Sequence, residues 1–67
     1  MNSNLLKAEM VKNGDTQTKL AEALGMTTSC LNQRINGSVD FRKNEINEIR
    51  KRYHLTAEQT IEIFFAA

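Results

Sequence analysis

The sequence has little of several features that define common protein classes. It contains one cysteine, no proline and no tryptophan. Cys30 alone cannot form an internal disulfide, and no basic-then-apolar signal segment opens the chain, so we expect a reducing, cytoplasmic location. No apolar run approaches the roughly 20 residues that a membrane-spanning helix needs, and we expect no membrane partner.

An excess of charge of one sign is also absent. Nine Lys and Arg residues face eight Asp and Glu residues, for a formal net charge of +1. Nucleic-acid binders often have a pI above about 9, so any binding to phosphate must depend on where the cations lie. The densest run, Arg50-Lys51-Arg52, has Glu45 and Glu48 nearby and is interpreted as the solvated face of an amphipathic helix.

Patterns typical of enzymes and metal sites are missing as well. No Ser/His/Asp set, phosphate-cradling glycine loop or metal-ligand cluster can be assembled from these residues. The one histidine, His54, is interpreted as a turn residue, and Cys30 as a small space-filling residue. We therefore expect no enzymatic activity, no cofactor and no bound metal.

What the sequence does contain is a series of helix start and stop signals. With 40% hydrophobic residues and no low-complexity stretch, residues 1–67 are predicted to form a single globular domain. Candidate N-caps are Asp15 or Thr16, Thr27, and Thr56 with its capping-box partner Gln59. Candidate stops are Asn13-Gly14, Gly25 and Asn36-Gly37. Because no alternating strand pattern occurs, we predict an all-α, compact bundle of about five short helices.

The predicted third helix has an unusual polar face. Leu31 and Ile35 mark its inward side, so at about 100° per residue Ser29, Gln33 and Asn36 fall on the far side. A solvated face more often carries Glu and Lys, which favour helix formation. Side chains that both donate and accept hydrogen bonds suit base edges in the major groove. For this helix taken alone, a plain polar surface is an equal alternative.

Residues 16–37, TQTKLAEALGMTTSCLNQRING, closely resemble the helix-turn-helix of the phage repressor and Cro family. The matching features are Thr16-Gln17, Leu20-Ala21, Leu24-Gly25-Met26, Thr27, Leu31, Ile35 and Asn36-Gly37. The likeness extends less sharply over about residues 4–64. It implies a lambda-repressor-like domain that occupies a palindromic operator in double-stranded DNA and regulates transcription. A protein-binding regulatory module on the same helical scaffold is the alternative.

The resemblance also implies roles for individual residues. Four side chains of the third helix would read bases, namely Thr28, Ser29, Asn32 and Gln33. Six residues would contact DNA phosphates, namely Gln17, Thr27, Asn36, Ser38, Arg42 and Lys43. Many family members carry a buried Arg–Glu pair at the places held here by Met10 and Ile35, which predicts an apolar contact in this chain.

The C-terminal segment has surplus apolar surface. Two adjacent aromatic residues, Phe64 and Phe65, cannot both face the same small core. With Ile61 and Phe64 assigned to the core, Phe65 remains for a self-complementary contact, together with Ile63 and the terminal Ala66-Ala67. We therefore expect a weak homodimer through the fifth helix. A singly exposed Phe65 on a monomer is the alternative.

Overall fold

The helices follow the predicted order. A computed structural model describes residues 1–65. Within that range the chain forms α1 (Ser3–Lys12), α2 (Gln17–Leu24), α3 (Thr28–Ile35), α4 (Lys43–Tyr53) and α5 (Ala57–Thr60), followed directly by a π-helix (Ile61–Phe65). No strand occurs among these residues, so the all-α prediction is confirmed. Nor is any helix among them long and apolar enough to cross a membrane.

Local side-chain caps explain why the helices begin where they do. The hydroxyls of Thr16, Thr27 and Thr56 each accept a hydrogen bond, at 3.1 Å, from the backbone N–H three residues later. The amide oxygen of Gln59 accepts from the Thr56 N–H at 2.9 Å, which completes the predicted capping box. Of the two candidates for the second helix, Thr16 rather than Asp15 is the cap. These signals were readable because each acts within four residues.

One apolar core lies between the helices. Its buried members are Leu6, Met10, Leu20, Ala21, Leu31, Ile35, Ile46, Ile49, Tyr53, Leu55, Ile63 and Phe64. Met10 and Ile35 are both buried in it, so both places hold apolar side chains inside the core. Burying uncharged side chains there avoids the desolvation of two ions.

The N-terminal residues join the end of α3 to the C-terminal helix. The Ser3 hydroxyl donates to the Ile35 carbonyl at 2.6 Å, which satisfies one of the carbonyls left free at the end of a helix. The Asn2 N–H donates to the Ile63 carbonyl at 2.7 Å. The start of α1 therefore contributes to the position of α3.

The burial pattern of the C-terminal helix differs from the prediction. Ile63 is buried, with 2% of its surface exposed, whereas Ile61 is 56% exposed. The buried side of this helix consists of Thr60, Ile63 and Phe64. Thr60 can be buried because its hydroxyl donates a hydrogen bond to the carbonyl four residues earlier, at 2.9 Å. Assigning Ile63 to a dimer contact was wrong. Phe65 is exposed, as predicted.

Candidate nucleic-acid interface

Two packed helices, α2 and α3, form the centre of the candidate site. They are joined by the three residues 25–27. Gly25 has φ 69°, a left-handed conformation that glycine adopts without the steric penalty of a Cβ. The Met26 N–H donates to the Ala21 carbonyl at 3.0 Å, and Thr27 then caps α3. Two helices connected by a short turn with glycine constitute a helix-turn-helix.

The outer face of α3 consists of uncharged hydrogen-bonding side chains. Leu31 and Ile35 are fully buried on the inner side. The four residues predicted to read bases are all exposed: Thr28, Ser29, Asn32 and Gln33. Within residues 1–65, none of these four side chains makes a hydrogen bond to another protein group. Their donors and acceptors therefore face solvent.

The C-terminal end of α3 is held by a buried ion pair that was not predicted from the sequence. Arg34 Nε donates to Glu45 Oε1 at 2.9 Å, and the two side chains are only 12% and 10% exposed. The same oxygen accepts from the Arg42 N–H at 2.9 Å. One carboxylate thus binds the last turn of α3 and the first turn of α4. The only sequence signal for it is a single charge in an otherwise uncharged helix.

The residues predicted to contact phosphates lie at helix ends and turns around α3. Gln17 is the first residue of α2 and is half-buried; the other five, Thr27, Asn36, Ser38, Arg42 and Lys43, are exposed. The Ser38 N–H donates to the Gln33 carbonyl at 3.0 Å, which fixes the turn that follows α3. Because Glu45 binds both Arg34 of α3 and the Arg42 N–H, the start of α4 is held beside the end of α3.

A second ion pair fixes the start of α2. Asp15, directly before the Thr16 cap, accepts from Arg52 Nε at 2.7 Å, from Arg52 Nη2 at 2.9 Å and from the Tyr53 hydroxyl at 2.6 Å. The Arg52 hydrogen bonds lower the pKa of Asp15 to about 2. Burial, with the hydrogen bond to Asp15, raises the pKa of Tyr53 above its ordinary value. Arg52 therefore has a structural partner, which the interpretation of a solvated face did not include.

His54 and Cys30 both lie where they contribute to the local backbone structure. His54 ends α4 with φ 53°, which supports its interpretation as a turn residue. Cys30 is half-buried, and its carbonyl accepts from Arg34 Nη1 at 3.4 Å.

Comparison with known families identifies the class of domain. The model of the BetR domain family matches residues 3–64. This chain belongs to the BetR domain family. The family consists of small helical, DNA-binding-like domains, and the match covers the helix-turn-helix and the helices on both sides of it. No curated protein and no solved structure matches the chain. The narrower assignment to the phage repressor and Cro family stays a prediction.

This BetR domain also exposes an apolar surface at the C-terminal end of the described residues. Phe65 and Ile61 are 65% and 56% exposed. Together with Phe41 and Ile46 they line a groove of about 570 Å³ between α4 and the C-terminal helices. We call these four residues the C-terminal apolar surface. Ala66 and Ala67, which were also predicted to take part in a dimer contact, lie outside the described residues.

Proposed function

We propose that this BetR domain is a sequence-specific regulator of transcription, of the phage repressor and Cro type, which occupies an operator in double-stranded DNA. The observation that carries the proposal is the outer face of α3, where four exposed side chains have free donors and acceptors. In a helix-turn-helix the second helix enters the major groove, where such groups meet base edges. A cytoplasmic regulator that acts by occupying an operator needs no catalytic group.

Phosphate contacts are assigned to the residues that surround α3. Arg42 and Lys43 supply cations beside its C-terminal end, while Gln17 opens α2, the helix that crosses the DNA backbone in this motif. The Lys43 side chain is exposed, so its contact with a DNA phosphate releases a counterion. These residues fix the register of the domain, and the face of α3 supplies the sequence preference.

A second copy of the chain is the proposed protein partner. One helix-turn-helix reads only a few base pairs, and twofold dimers bind half-sites about one helical turn apart. The C-terminal apolar surface supports this proposal because Phe65 and Ile61 expose large apolar side chains side by side. In the proposed dimer contact, the exposed Ile61 replaces Ile63, which had been predicted from the sequence to take part. The expected dimer is weak and is tightened by a palindromic operator.

Selection of bound sites from random duplex DNA tests the proposed function, followed by titration of the selected site at several salt concentrations. We expect an enriched palindrome and an affinity that falls steeply with salt. Asn32→Ala should weaken binding to that site. Asn4→Ala, at an exposed asparagine on α1, is the matched control and should not change it. Binding that is absent, or insensitive to both salt and sequence, contradicts the proposal and favours the protein-binding alternative.

Sedimentation over a wide concentration range tests the dimer. Phe65→Ala should reduce association and the cooperative binding of full sites while leaving half-site affinity unchanged. Val11→Ala removes apolar surface from the exposed side of α1 and is the matched control, because Val11 is 79% exposed. A monomer that binds full and half sites equally contradicts this part of the proposal.

A further inference from the structure

The chemistry of α3 restricts which bases it can read. Guanine is read in the major groove mainly by Arg or Lys, cytosine by a carboxylate, and adenine by the amide of Asn or Gln in bidentate fashion. Residues 28–35, TSCLNQRI, contain two amides, no carboxylate and one cation. The hydroxyls of Thr28 and Ser29 serve several bases. Arg34 is therefore the only side chain of this helix that can make the Arg or Lys contact typical of guanine.

The structure removes Arg34 from the outer face of α3. Its Nε donates to Glu45 at 2.9 Å and its Nη1 to the Cys30 carbonyl at 3.4 Å. With 12% of its side chain exposed, it is mostly buried. Arg34 also lies about 100° around the helix from Gln33. Turning it toward DNA would leave the Glu45 carboxylate buried without its ionic partner, which is strongly unfavourable.

We infer that this domain reads A·T base pairs in each half-site, with Asn32 and Gln33 as the residues that determine specificity by binding adenine. The inference rests on the proposed function and extends it to the class of DNA sequence. Both amides are exposed and lack a hydrogen-bond partner within residues 1–65, so each can offer its donor and acceptor together. Adenine presents the matching N7 acceptor and N6 donor.

Cations are also present on the elements that precede and follow α3 in the chain. Lys19 is in the first turn of α2, and Arg42 and Lys43 are at the start of α4. In a helix-turn-helix the first helix crosses the backbone and the second reads bases. These cations therefore add affinity without adding a preference for guanine.

The test is selection from a random duplex library with the wild type and two variants. The wild-type motif should have an A·T pair at each position that depends on Asn32 or Gln33. Gln33→Arg should convert one adenine per half-site into guanine, with the relative affinity for the two bases changing by roughly 5- to 150-fold. Gln33 is exposed, so this change should leave the thermal midpoint close to that of the wild type.

The second variant tests whether Arg34 is excluded from readout. Arg34→Met with Glu45→Gln removes both charges together, and the new amide oxygen can still accept from the Arg42 N–H. It should select the same motif as the wild type.

A changed motif, or a wild-type motif with G·C pairs at the positions that depend on Asn32 and Gln33, overturns the inference while leaving DNA binding intact. An unshifted position in Gln33→Arg overturns the role of Gln33. If no duplex is enriched and none is bound, the proposed function fails and the inference with it.

Discussion

The outer face of α3 and the last turn of α4 differ in charge and in what their side chains already bind. The α4 turn carries the densest cationic run of the sequence, yet Arg52 is bound to Asp15 and Arg50 Nε donates to the Leu55 carbonyl at 3.4 Å. The α3 face has no charge, and its side chains have no intramolecular partner among residues 1–65. Free hydrogen-bonding groups therefore indicate the candidate interface better than the density of charge does.

The two regions should consequently respond to mutation in different ways. Groups that have partners inside the protein contribute to the free energy of unfolding. Exposed groups without such partners contribute little to it and are available to a ligand. Changes at the end of α4 should affect stability, and changes on α3 should affect DNA binding.

The largest effect is expected from Asp15→Asn. The substitution removes the charge that Arg52 and Tyr53 bind, and we expect the free energy of unfolding to fall by about 2–3 kcal/mol. Urea unfolding at neutral pH measures it. Asp40→Asn, at an exposed aspartate, is the matched control and should stay within about 0.5 kcal/mol of the wild type. Equal losses in both variants would show that the ion pair contributes nothing specific.

Gln33→Ala should have the opposite profile. It should weaken binding to the preferred site by about 1–3 kcal/mol and relax the preference at one base pair per half-site, because one bidentate contact is lost. Non-specific binding and the unfolding midpoint should stay nearly unchanged, since the side chain is exposed. Titration against the preferred site and a scrambled duplex measures both affinities. The same loss on both duplexes would exclude Gln33 as a base reader.

The comparison also explains which parts of the fold could be predicted. The Thr27 cap and the turn at Gly25 depend on interactions within a few residues, and the sequence predicted both. For the second helix it offered Asp15 or Thr16, and Thr16 is the cap. The hydrogen bond from Ser3 to Ile35 joins residues 32 apart, and no periodic pattern specifies such a contact. The prediction of the C-terminal stripe failed because a buried hydroxyl can be satisfied by its own helix.

For the candidate site, the sequence predicted the outer face of α3 but not what fixes its position. Helical spacing places Ser29 and Gln33 opposite Leu31 whatever the rest of the chain does. The Arg34–Glu45 pair depends on the packing of α4 beside α3, which the sequence does not reveal. The resemblance to a family with a buried Arg–Glu pair pointed to the positions of Met10 and Ile35. In this chain the buried Arg–Glu pair is formed by Arg34 and Glu45 instead.

Acid should weaken the ion pair between Asp15 and Arg52. The pKa of Asp15 is about 2 in the folded protein against an ordinary value of 3.8, so the folded state binds fewer protons between these values. The stabilisation is complete above about pH 5 and is lost as the pH falls through about 2. Because Arg52 is partly exposed, we expect a loss of about 1–2 kcal/mol. Unfolding of the wild type and Asp15→Asn from pH 7 to 2 should show their difference shrinking. A constant difference would contradict the assignment.

The smallest effect compares two lysines on the same helix. Lys43 opens α4 beside the end of α3, whereas Lys51 lies in its last turn; both are exposed. If the interface surrounds α3, Lys43→Ala should weaken binding to all sequences by about fivefold at physiological salt and lower the salt slope by roughly one unit, since one fewer counterion is released. Lys51→Ala should leave the slope unchanged, although it removes the same charge from the same helix. Affinities at four or more salt concentrations separate the two variants. Equal changes in slope would mean that overall charge, and not the position of Lys43 beside α3, governs binding.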